Sequence, residues 1–371
     1  MKQVLQMVVT ATTTMAMIAA AGASAAAPET PYHDGLQERL DDVLAAGAVG
    51  ALAVVRDGHQ VWRGTAGVAE LGTTRAVPAH GRFRVGSITK TFVSTVVLQL
   101  VAEGWLRLDD PVEAWLPGVV PDGDRITVRD LLNHTSGLYD YRLTLPKPPS
   151  QEFLDLRWRT WTATEQVQRA VAHPPTHEPP GSTFEYSNTN YLVLGMLIEK
   201  VTGRPYDKQI ERRIIQPLRL HHTTTPGTSP WIRGPHPHGY APLEDKDGFR
   251  LVDFTEMNPT LFGAGGDLIS TARDLHRFFV VLLRGWLLPP HLLEEMKTAS
   301  VEGGSYGLGL AWRDTSCGVR VYGNDGDTLA YQSWSFATED GRRQATVALT
   351  PDFSGDPDDA VDAFLDTAFC D

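Results

Sequence analysis

A serine and a lysine separated by two residues stand at the start of an apolar run. They are Ser87 and Lys90, in the stretch Arg82-Phe-Arg-Val-Gly-Ser-Ile-Thr-Lys90, and the apolar segment continues to Gly104. A glycine followed by such a run predicts a turn that leads into a buried helix. Three residues are close to one helical turn, so the Ser87 hydroxyl and the Lys90 ammonium project from the same face of that helix.

This arrangement suits nucleophilic catalysis. Ser87 stands where the helix begins, beside unpaired backbone N–H groups and the positive end of the helix dipole. A partly buried lysine in that field loses its proton more readily and can act as a base toward the neighbouring hydroxyl. Ser-x-x-Lys also occurs by chance, so the pattern alone leaves open a surface serine and lysine on an ordinary helix.

Two polar stretches further along the chain are candidates to complete such a site. Tyr186-Ser-Asn188 follows a Pro-Gly turn and precedes a predicted core helix, so we expect it on a loop. Its phenol can shuttle a proton and its amide can orient a substrate. Tyr322-Gly-Asn-Asp-Gly-Asp-Thr328 lies between predicted strands and is either a third part of the site or a simple turn. Chance seldom supplies all three in this order, and the first two carry most of the weight.

The elements that must position these residues lie at both ends of the chain. Residues 50–58 and 60–67 predict two strands joined by an Asp-Gly turn, which is a hairpin signal. Alternating segments predict four late strands, over residues 306–313, 319–323, 331–338 and 344–350. We therefore predict an α+β fold in which helices flank an antiparallel sheet built from both chain ends. A mostly helical subdomain is inserted over roughly residues 110–300.

Composition sets wider limits. The 371 residues are 42% hydrophobic and 21% charged, which is typical of a globular chain with a sizeable core. The formal net charge is −12, with charges of both signs interspersed, so we expect no nucleic-acid partner.

The first residues predict export. Met1-Lys2 is a positive start, residues 4–21 are apolar, and Ala23-Ser-Ala25 fits a small-residue cleavage site. We interpret residues 1–25 as a signal peptide cut after Ala25 or Ala27, and residues 26–371 as one secreted domain without a membrane anchor. In an exported protein two lone cysteines favour a disulfide, here Cys317 with Cys370.

Taken together, these motifs resemble the penicillin-recognising serine hydrolases, which share Ser-x-x-Lys. Within them the chain is similar to class C β-lactamases and, most closely, to soluble secreted D-alanyl-D-alanine carboxypeptidases. The likeness covers nearly all of the mature chain and also matches the disulfide in place. The stretches that carry it, besides Ser87–Lys90, are Ile126-Thr-Val-Arg-Asp-Leu-Leu-Asn-His-Thr-Ser-Gly-Leu-Tyr-Asp-Tyr141, Tyr186-Ser-Asn-Thr-Asn190, Gly195–Lys200 and Tyr306-Gly-Leu-Gly-Leu310.

The resemblance implies roles for individual residues. Ser87 is the acylated nucleophile and Lys90 its base, while Tyr186 carries the proton to the leaving group and Asn188 orients Lys90 and the substrate amide. The backbone N–H groups of Ser87 and Asp327 form the oxyanion hole. It implies no metal and no organic cofactor. The expected partners are peptide, amide or ester small molecules, with β-lactams as possible acylating agents, and we expect a monomer.

The third motif departs from the carboxypeptidase pattern. There the motif is His-Thr-Gly, aided by an arginine that pairs with the terminal carboxylate of the substrate. Here the corresponding residues are Asn324, Asp325 and Gly326, Ala311 stands at the arginine position, and Asp327 replaces a further threonine. If both aspartates face the cleft, they repel a terminal carboxylate, and an amide, an ester or an amine-bearing substrate fits better.

Two arrangements would cancel this effect, namely aspartates that turn outward or compensation by another arginine such as Arg313.

Other interpretations of the chain have less support in the sequence. Gly303-Gly-Ser-Tyr-Gly307 matches a nucleophile elbow but lacks the strand before it and the helix after it. The pairs His221-His222 and His236-Pro-His238 lack metal-ligand spacing, so we expect loop histidines. A non-catalytic penicillin- or peptide-binding module is the alternative from another class.

Overall fold

A six-stranded antiparallel sheet built from both ends of the chain forms the centre of the fold. The structure is a computed structural model that describes residues 31–246 and 248–370. The predicted signal peptide and its cleavage points therefore lie outside the described residues. The strands in these described ranges are β1 (Ala48–Asp57), β2 (Gln60–Gly67), β3 (Phe83–Arg84), β4 (Tyr240–Asp245), β5 (Gly248–Asp253), β6 (Ile269–Ser270), β7 (Ala311–Asp314), β8 (Arg320–Asp327), β9 (Gln332–Thr338) and β10 (Arg343–Pro351).

The strand order in the main sheet is β2-β1-β10-β9-β8-β7, so the first long strand pairs with the last one. Strand β1 is an apolar, largely buried run, and β10 is buried along nearly its whole length, as expected for central strands covered on both faces. The pairs β3–β6 and β4–β5 form two small sheets. The predicted α+β fold with a sheet from both chain ends is confirmed.

Helices cover both faces of this sheet. Eleven α-helices are found in the described residues, at Pro31–Ala45 (α1), Ile88–Ala102 (α2), Val112–Trp115 (α3), Val128–Leu132 (α4), Gln151–Asp155 (α5), Ala163–Val171 (α6), Asn188–Thr202 (α7), Tyr206–Ile210 (α8), Ala272–Leu283 (α9), Pro290–Lys297 (α10) and Asp358–Cys370 (α11). Helices α1 and α11 pack on one face around Leu40, Phe364 and Val347. The larger core on the other face is centred on α2, α7 and α9 and includes Phe92 and Phe278. None of the described helices has the length and apolar content needed to cross a membrane.

Helix α2 is the most deeply buried element of the larger core. Its residues Phe92, Val93, Val96 and Val97 are all inaccessible to solvent, and the Phe92 ring stacks on Phe278 of α9 at 3.8 Å between centroids. Because the helix is buried on nearly every side, packing against its neighbours fixes it firmly. It therefore holds Lys90 in its first turn, and Ser87 directly before that turn, in a rigid setting.

Two late segments differ from the sequence prediction. The strand expected over residues 306–313 begins only at Ala311, because Gly309 has a φ of +77° and its backbone lies against Ser94 of α2, where a side chain would collide. The polar segment Tyr322–Thr328 is mostly strand, since β8 runs through Asp327 before the chain turns. The alternative that this segment is a simple turn is therefore wrong.

A disulfide closes the fold near its carboxyl end. Cys317, in the loop between β7 and β8, is bonded to Cys370 at the end of α11, with 5.7 Å between their Cα atoms. The bond links the outer strands of the sheet to the helix that covers them.

Candidate active site

Ser87 lies on a tight turn between a short strand and the buried helix α2. The chain leaves β3 through Val85 and Gly86, and Ser87 is the residue that precedes the first turn of α2. Gly86 has a φ of +52°, and a side chain there would approach the Asp327 backbone N to 2.6 Å. Glycine meets both requirements, since it adopts positive φ readily and leaves room for a neighbouring backbone.

Lys90 is completely buried one helical turn after the serine and contacts three oxygen atoms. Its Nζ lies 2.9 Å from Ser87 Oγ, 2.8 Å from Asn188 Oδ1 and 2.8 Å from the carbonyl oxygen of Gly265. The amide oxygen and the carbonyl oxygen can only accept hydrogen bonds. A neutral amine that donates its two N–H groups to them directs its lone pair at the Ser87 hydroxyl, which is the geometry that a general base needs.

Burial supplies the protonation state that this geometry requires. Desolvation lowers the pKa of Lys90 from 10.5 to about 7, because the charged ammonium is disfavoured away from water. The nearby Asp140 carboxylate opposes this effect and Arg142 adds to it. A substantial fraction of Lys90 is therefore neutral near neutral pH.

Tyr186 contacts the serine from the other side. Its hydroxyl donates to Ser87 Oγ at 2.7 Å, and the Lys90 Nζ lies 4.9 Å from the centre of its ring. The side chain is 38% exposed, yet its hydroxyl end is enclosed, and this burial raises the pKa of Tyr186 above its usual value. Near neutral pH Lys90 is therefore available in its neutral form as a base, whereas Tyr186 keeps its proton and donates it in the hydrogen bond to Ser87.

Asn188 links the lysine to a carboxylate that the sequence analysis did not single out. Asn188 begins α7, and its Nδ2 donates to Asp140 Oδ2 at 2.8 Å while its Oδ1 faces Lys90. Asp140 accepts only, so it fixes which way the amide is turned and keeps the amide oxygen toward Lys90.

His134 is a second contact residue that the sequence analysis did not assign to the site. Its ring stacks on the Tyr186 ring with 4.3 Å between centroids, and its Nδ1 lies 3.2 Å from the Ser187 backbone N and 3.1 Å from Asn190 Nδ2. Burial lowers the pKa of His134 well below 6.5, and Lys90 lowers it further, so the ring is neutral and accepts these bonds. The only signal in the sequence was that His134 and Asp140 both fall within the stretch 126–141 that carried the resemblance.

Strand β8 approaches the serine so closely that only glycine fits at one position. A side chain at Gly326 would collide with the Val85 carbonyl oxygen and lie 2.7 Å from the Ser87 backbone N. The backbone N of Asp327 follows directly and lies against Gly86. The two amides predicted as the oxyanion hole, from Ser87 and Asp327, are therefore brought together beside the helix start.

Alternation along β8 places Asn324 on one face of the strand and Asp325 and Asp327 on the other. Asn324 is buried, and its Nδ2 donates to Thr91 Oγ1 of α2 at 3.2 Å, so it is committed to packing. Asp325 opens to solvent, while partial burial and the neighbouring Asp327 raise its pKa, and Lys90 and Arg313 lower it. Asp327 is exposed and its carboxylate accepts from the Leu329 backbone N. Asp325 is thus the aspartate whose charge acts on the catalytic groups Lys90 and Tyr186.

Arg313 does not take the place of the carboxylate-binding arginine whose position is occupied by Ala311. Its guanidinium forms an ion pair with Asp362 of α11 and lies over the Phe336 ring at 5.6 Å. Arg313 lowers the pKa of Asp325, but its contacts hold the guanidinium against α11 and Phe336. Ala311, at the position expected for the arginine, pairs with Gly323 of β8 and offers only a methyl group.

A protein family described as Beta-lactamase matches residues 36–369, which is nearly the whole of the described chain. The chain belongs to the beta-lactamase family. It is a serine hydrolase with the fold of that family, as the sequence resemblance predicted. The nucleophile-elbow reading of residues 303–307 is accordingly wrong, since these residues form a loop between α10 and β7.

Two solved structures of this family are similar over most of their length. A D-stereospecific amidohydrolase from Streptomyces sp. is 43% identical, with a TM-score of 0.83 and coverage of 91% of this chain and 98% of that one. A D-amino acid amidase from Ochrobactrum anthropi SV3, in complex with L-phenylalanine amide, is 28% identical with a TM-score of 0.78 and the same coverage.

Among curated relatives, penicillin-binding protein 4 of Amycolatopsis lactamdurans is 32% identical over 258 residues, or 66% of this chain and 62% of the relative. Two further curated relatives match over 51% and 53% of their length, so this chain spans about half to three fifths of such proteins.

Proposed function

We propose that this beta-lactamase-family protein hydrolyses amides of D-amino acids, or peptides with a free D-amino terminus, through an acyl-enzyme on Ser87. The observation that carries the proposal is the charge at β8, where Asp325 acts on the catalytic groups and Arg313 is held in an ion pair with Asp362. The expected carboxypeptidase activity on D-alanyl-D-alanine peptides becomes the second candidate.

The reaction would begin with proton transfer from the Ser87 hydroxyl to neutral Lys90, as Oγ attacks the substrate carbonyl carbon. The tetrahedral oxyanion would be held by the Ser87 and Asp327 backbone N–H groups, where loss of one donor typically costs about 3 kcal/mol. Tyr186 would give its proton to the departing amine and regain one from the Lys90 ammonium. The C–N bond then breaks and leaves an ester on Ser87, which water cleaves by the same transfers in reverse.

Charge selects among the substrates that this chemistry could take. A D-amino-acid amide carries an ammonium next to the scissile carbonyl and no free carboxylate. The ammonium would be attracted to Asp325, whereas the carboxylate of a D-alanyl-D-alanine peptide would be repelled by Asp325 and Asp327. Esters lack both charges, so we expect them to react without a strong preference.

The similar proteins support this choice. Two similar structures that each cover 91% of this chain are named as a D-stereospecific amidohydrolase and a D-amino acid amidase. The penicillin-binding relative supports acylation by β-lactams, which we propose as a side reaction of the same serine.

A hydrolysis panel tests the proposal. The substrates are D-phenylalanine amide, its N-acetyl derivative, L-phenylalanine amide and a D-alanyl-D-alanine peptide. Because a hydrogen bond to a charged group contributes about 1.5–3 kcal/mol, we expect N-acetylation to lower kcat/KM by about ten- to hundredfold. Asp325→Asn should remove most of this difference, while Asp124→Asn, at an exposed aspartate distant from Ser87 in the sequence, should retain it.

Faster turnover of the free-carboxylate peptide than of D-phenylalanine amide would reject the amidase proposal in favour of a carboxypeptidase. The alternative of a binding module without catalysis is tested by a fluorescent penicillin and a fluorophosphonate. We expect a covalent adduct on the wild type and none on Ser87→Ala. Identical behaviour of both proteins would exclude an acyl-enzyme.

We further propose that the protein acts outside the cell as a monomer. The support for export is the sequence of residues 1–25. Sequencing of the mature amino terminus from culture medium, with a start at Ala26 or Pro28, would agree with export, and size-exclusion chromatography with light scattering would test the monomer.

A further inference from the structure

A large cleft at the far end of the sheet is lined by arginines. Its volume is about 1160 Å³. We define the arginine cleft by six residues, Arg56, Arg219, Arg273, Arg277, Arg284 and Arg342. They come from four parts of the chain, namely the β1–β2 hairpin, the segment after α8, helix α9 and its end, and the β9–β10 turn. The fold therefore assembles this group of cations from segments that are distant in the sequence.

The arginine cleft is separate from the site around Ser87. Strand β9 begins at Gln332, beside Asp327 and the serine, and ends at Thr338, beside the turn that carries Arg342. Seven residues of strand span about 20 Å. Among the described residues, no arginine of the cleft is hydrogen-bonded to a catalytic side chain.

Most of the positive charge in the arginine cleft is not neutralised by the protein. Among the described residues, two carboxylates line it, Asp57 and Asp274. Asp57 lies 3.6 Å from Arg342, and Asp274 is occupied by the His222 backbone N and Thr223 Oγ1. Within the part of the chain that the structure describes, Arg219, Arg273 and Arg277 have no ion-pair partner. This concentration of cations is the reverse of the protein as a whole, whose net charge is −12.

Helix α9 carries two of these arginines side by side. Arg273 and Arg277 are four residues apart and both exposed, so their guanidinium groups lie on one face of the helix. Like charges at this spacing destabilise a helix by a few tenths of a kcal/mol. An anion that bridges the two would turn this repulsion into attraction.

A buried histidine in the wall of the arginine cleft supplies a second, independent observation. His276 is 5% exposed, and its Nε2 is buried without a hydrogen-bond partner in the described residues. Burial lowers the pKa of His276 to about 3, and Arg56 and Arg63 lower it further, so the ring is neutral. A buried polar atom without a partner is costly, so the protein leaves one polar group in the wall of the arginine cleft unsatisfied.

We propose that the arginine cleft binds a phosphate-bearing anion with two or more phosphate groups. The planar guanidinium matches phosphate through paired hydrogen bonds, and several arginines at different points of a concave surface favour several phosphates. A single phosphate contacts only part of the cleft. A membrane of anionic lipid presents the same chemistry on a flat surface, which fits a cleft of this volume less well.

Calorimetric titration with inorganic phosphate, pyrophosphate and tripolyphosphate tests the proposal. We expect affinity to rise about tenfold with each added phosphate and to fall with added salt. Arg273→Gln combined with Arg277→Gln should weaken tripolyphosphate binding by about tenfold or more. The matched control combines Arg125→Gln with Arg212→Gln, two exposed arginines outside the cleft.

Thermal unfolding without ligand shows whether the variants are folded, and Tm should be equal to or above that of the wild type because a repulsion has been removed. Absence of tripolyphosphate binding below about 1 mM, or equal losses in the cleft variant and the control variant, would overturn the proposal. Binding to phosphatidylglycerol vesicles without binding of tripolyphosphate would assign the arginines to a membrane surface and would overturn it equally.

Discussion

Lys90 offers a direct test of the physical basis of the site through stability. The folded protein holds Lys90 with a pKa of about 7, whereas the unfolded chain returns it to 10.5. Between these values the unfolded state binds more protons, so the stability of the wild type rises with pH in this window. At about 1.4 kcal/mol for each tenfold change in proton affinity, the protonated, buried lysine costs the fold about 5 kcal/mol.

Lys90→Met removes the titrating group but keeps an unbranched side chain of similar length. The variant also loses bonds to Asn188 and Gly265, which lowers its stability by an amount that does not depend on pH. The unfolding free energy of the wild type minus that of the variant should therefore increase by about 2 kcal/mol from pH 7 to pH 9.

Urea unfolding followed by circular dichroism at half-unit pH steps measures this difference, because all other titrating groups are common to both proteins. Lys200→Met, at an exposed lysine of α7, is the matched control and should show no such slope. Parallel curves for the wild type and Lys90→Met would mean that Lys90 keeps its proton throughout, and the base role would lose its support.

Three further changes have definite expected outcomes. Tyr186→Phe keeps the ring but removes the hydroxyl that lies 2.7 Å from Ser87 Oγ. In steady-state assays, kcat for D-phenylalanine amide should therefore fall by about a hundredfold or more. An unchanged kcat would exclude the proton transfer by Tyr186. Gly326→Ala puts a methyl group against the backbone of Ser87, and we expect loss of fluorophosphonate labelling together with a lower Tm. Replacing both Cys317 and Cys370 by serine opens a loop of 53 residues. In urea titrations the free energy of unfolding should fall by about 4 kcal/mol. We expect activity to be retained at low temperature.

The sequence was sufficient for the parts of the site that depend on local spacing. Ser87 and Lys90 lie three residues apart on a helix, so helical geometry alone brings their side chains together. Tyr186 and Asn188 were recognised because two chemically suitable side chains occur in one tripeptide. The sheet followed from alternating segments at both chain ends.

The parts that depend on distant contacts were missed. Asp140 reaches Asn188 across 48 residues, and nothing near it in the sequence indicates that it fixes an amide. His134 looks like any loop histidine until its ring is found against Tyr186. The glycines of residues 322–328 suggested a turn, because sequence alone does not distinguish a glycine that bends the chain from Gly326, which admits a neighbouring backbone. The direction of the Asp325 side chain likewise depends on which edge of β8 meets α2.

The pairing of β1 with β10 has a consequence for how the protein folds during its synthesis. Val54 pairs with Thr346, so a central contact of the sheet joins residues almost 300 positions apart, and contacts of such long range are slow to form. During synthesis from the amino end, the β1–β2 hairpin must wait with one edge unpaired until the last strands have appeared. An exposed apolar edge of this kind is prone to pair with other chains. Asp327, whose amide is needed beside Ser87, arrives equally late, so a nascent or truncated chain would carry the nucleophile without the means to stabilise its reaction.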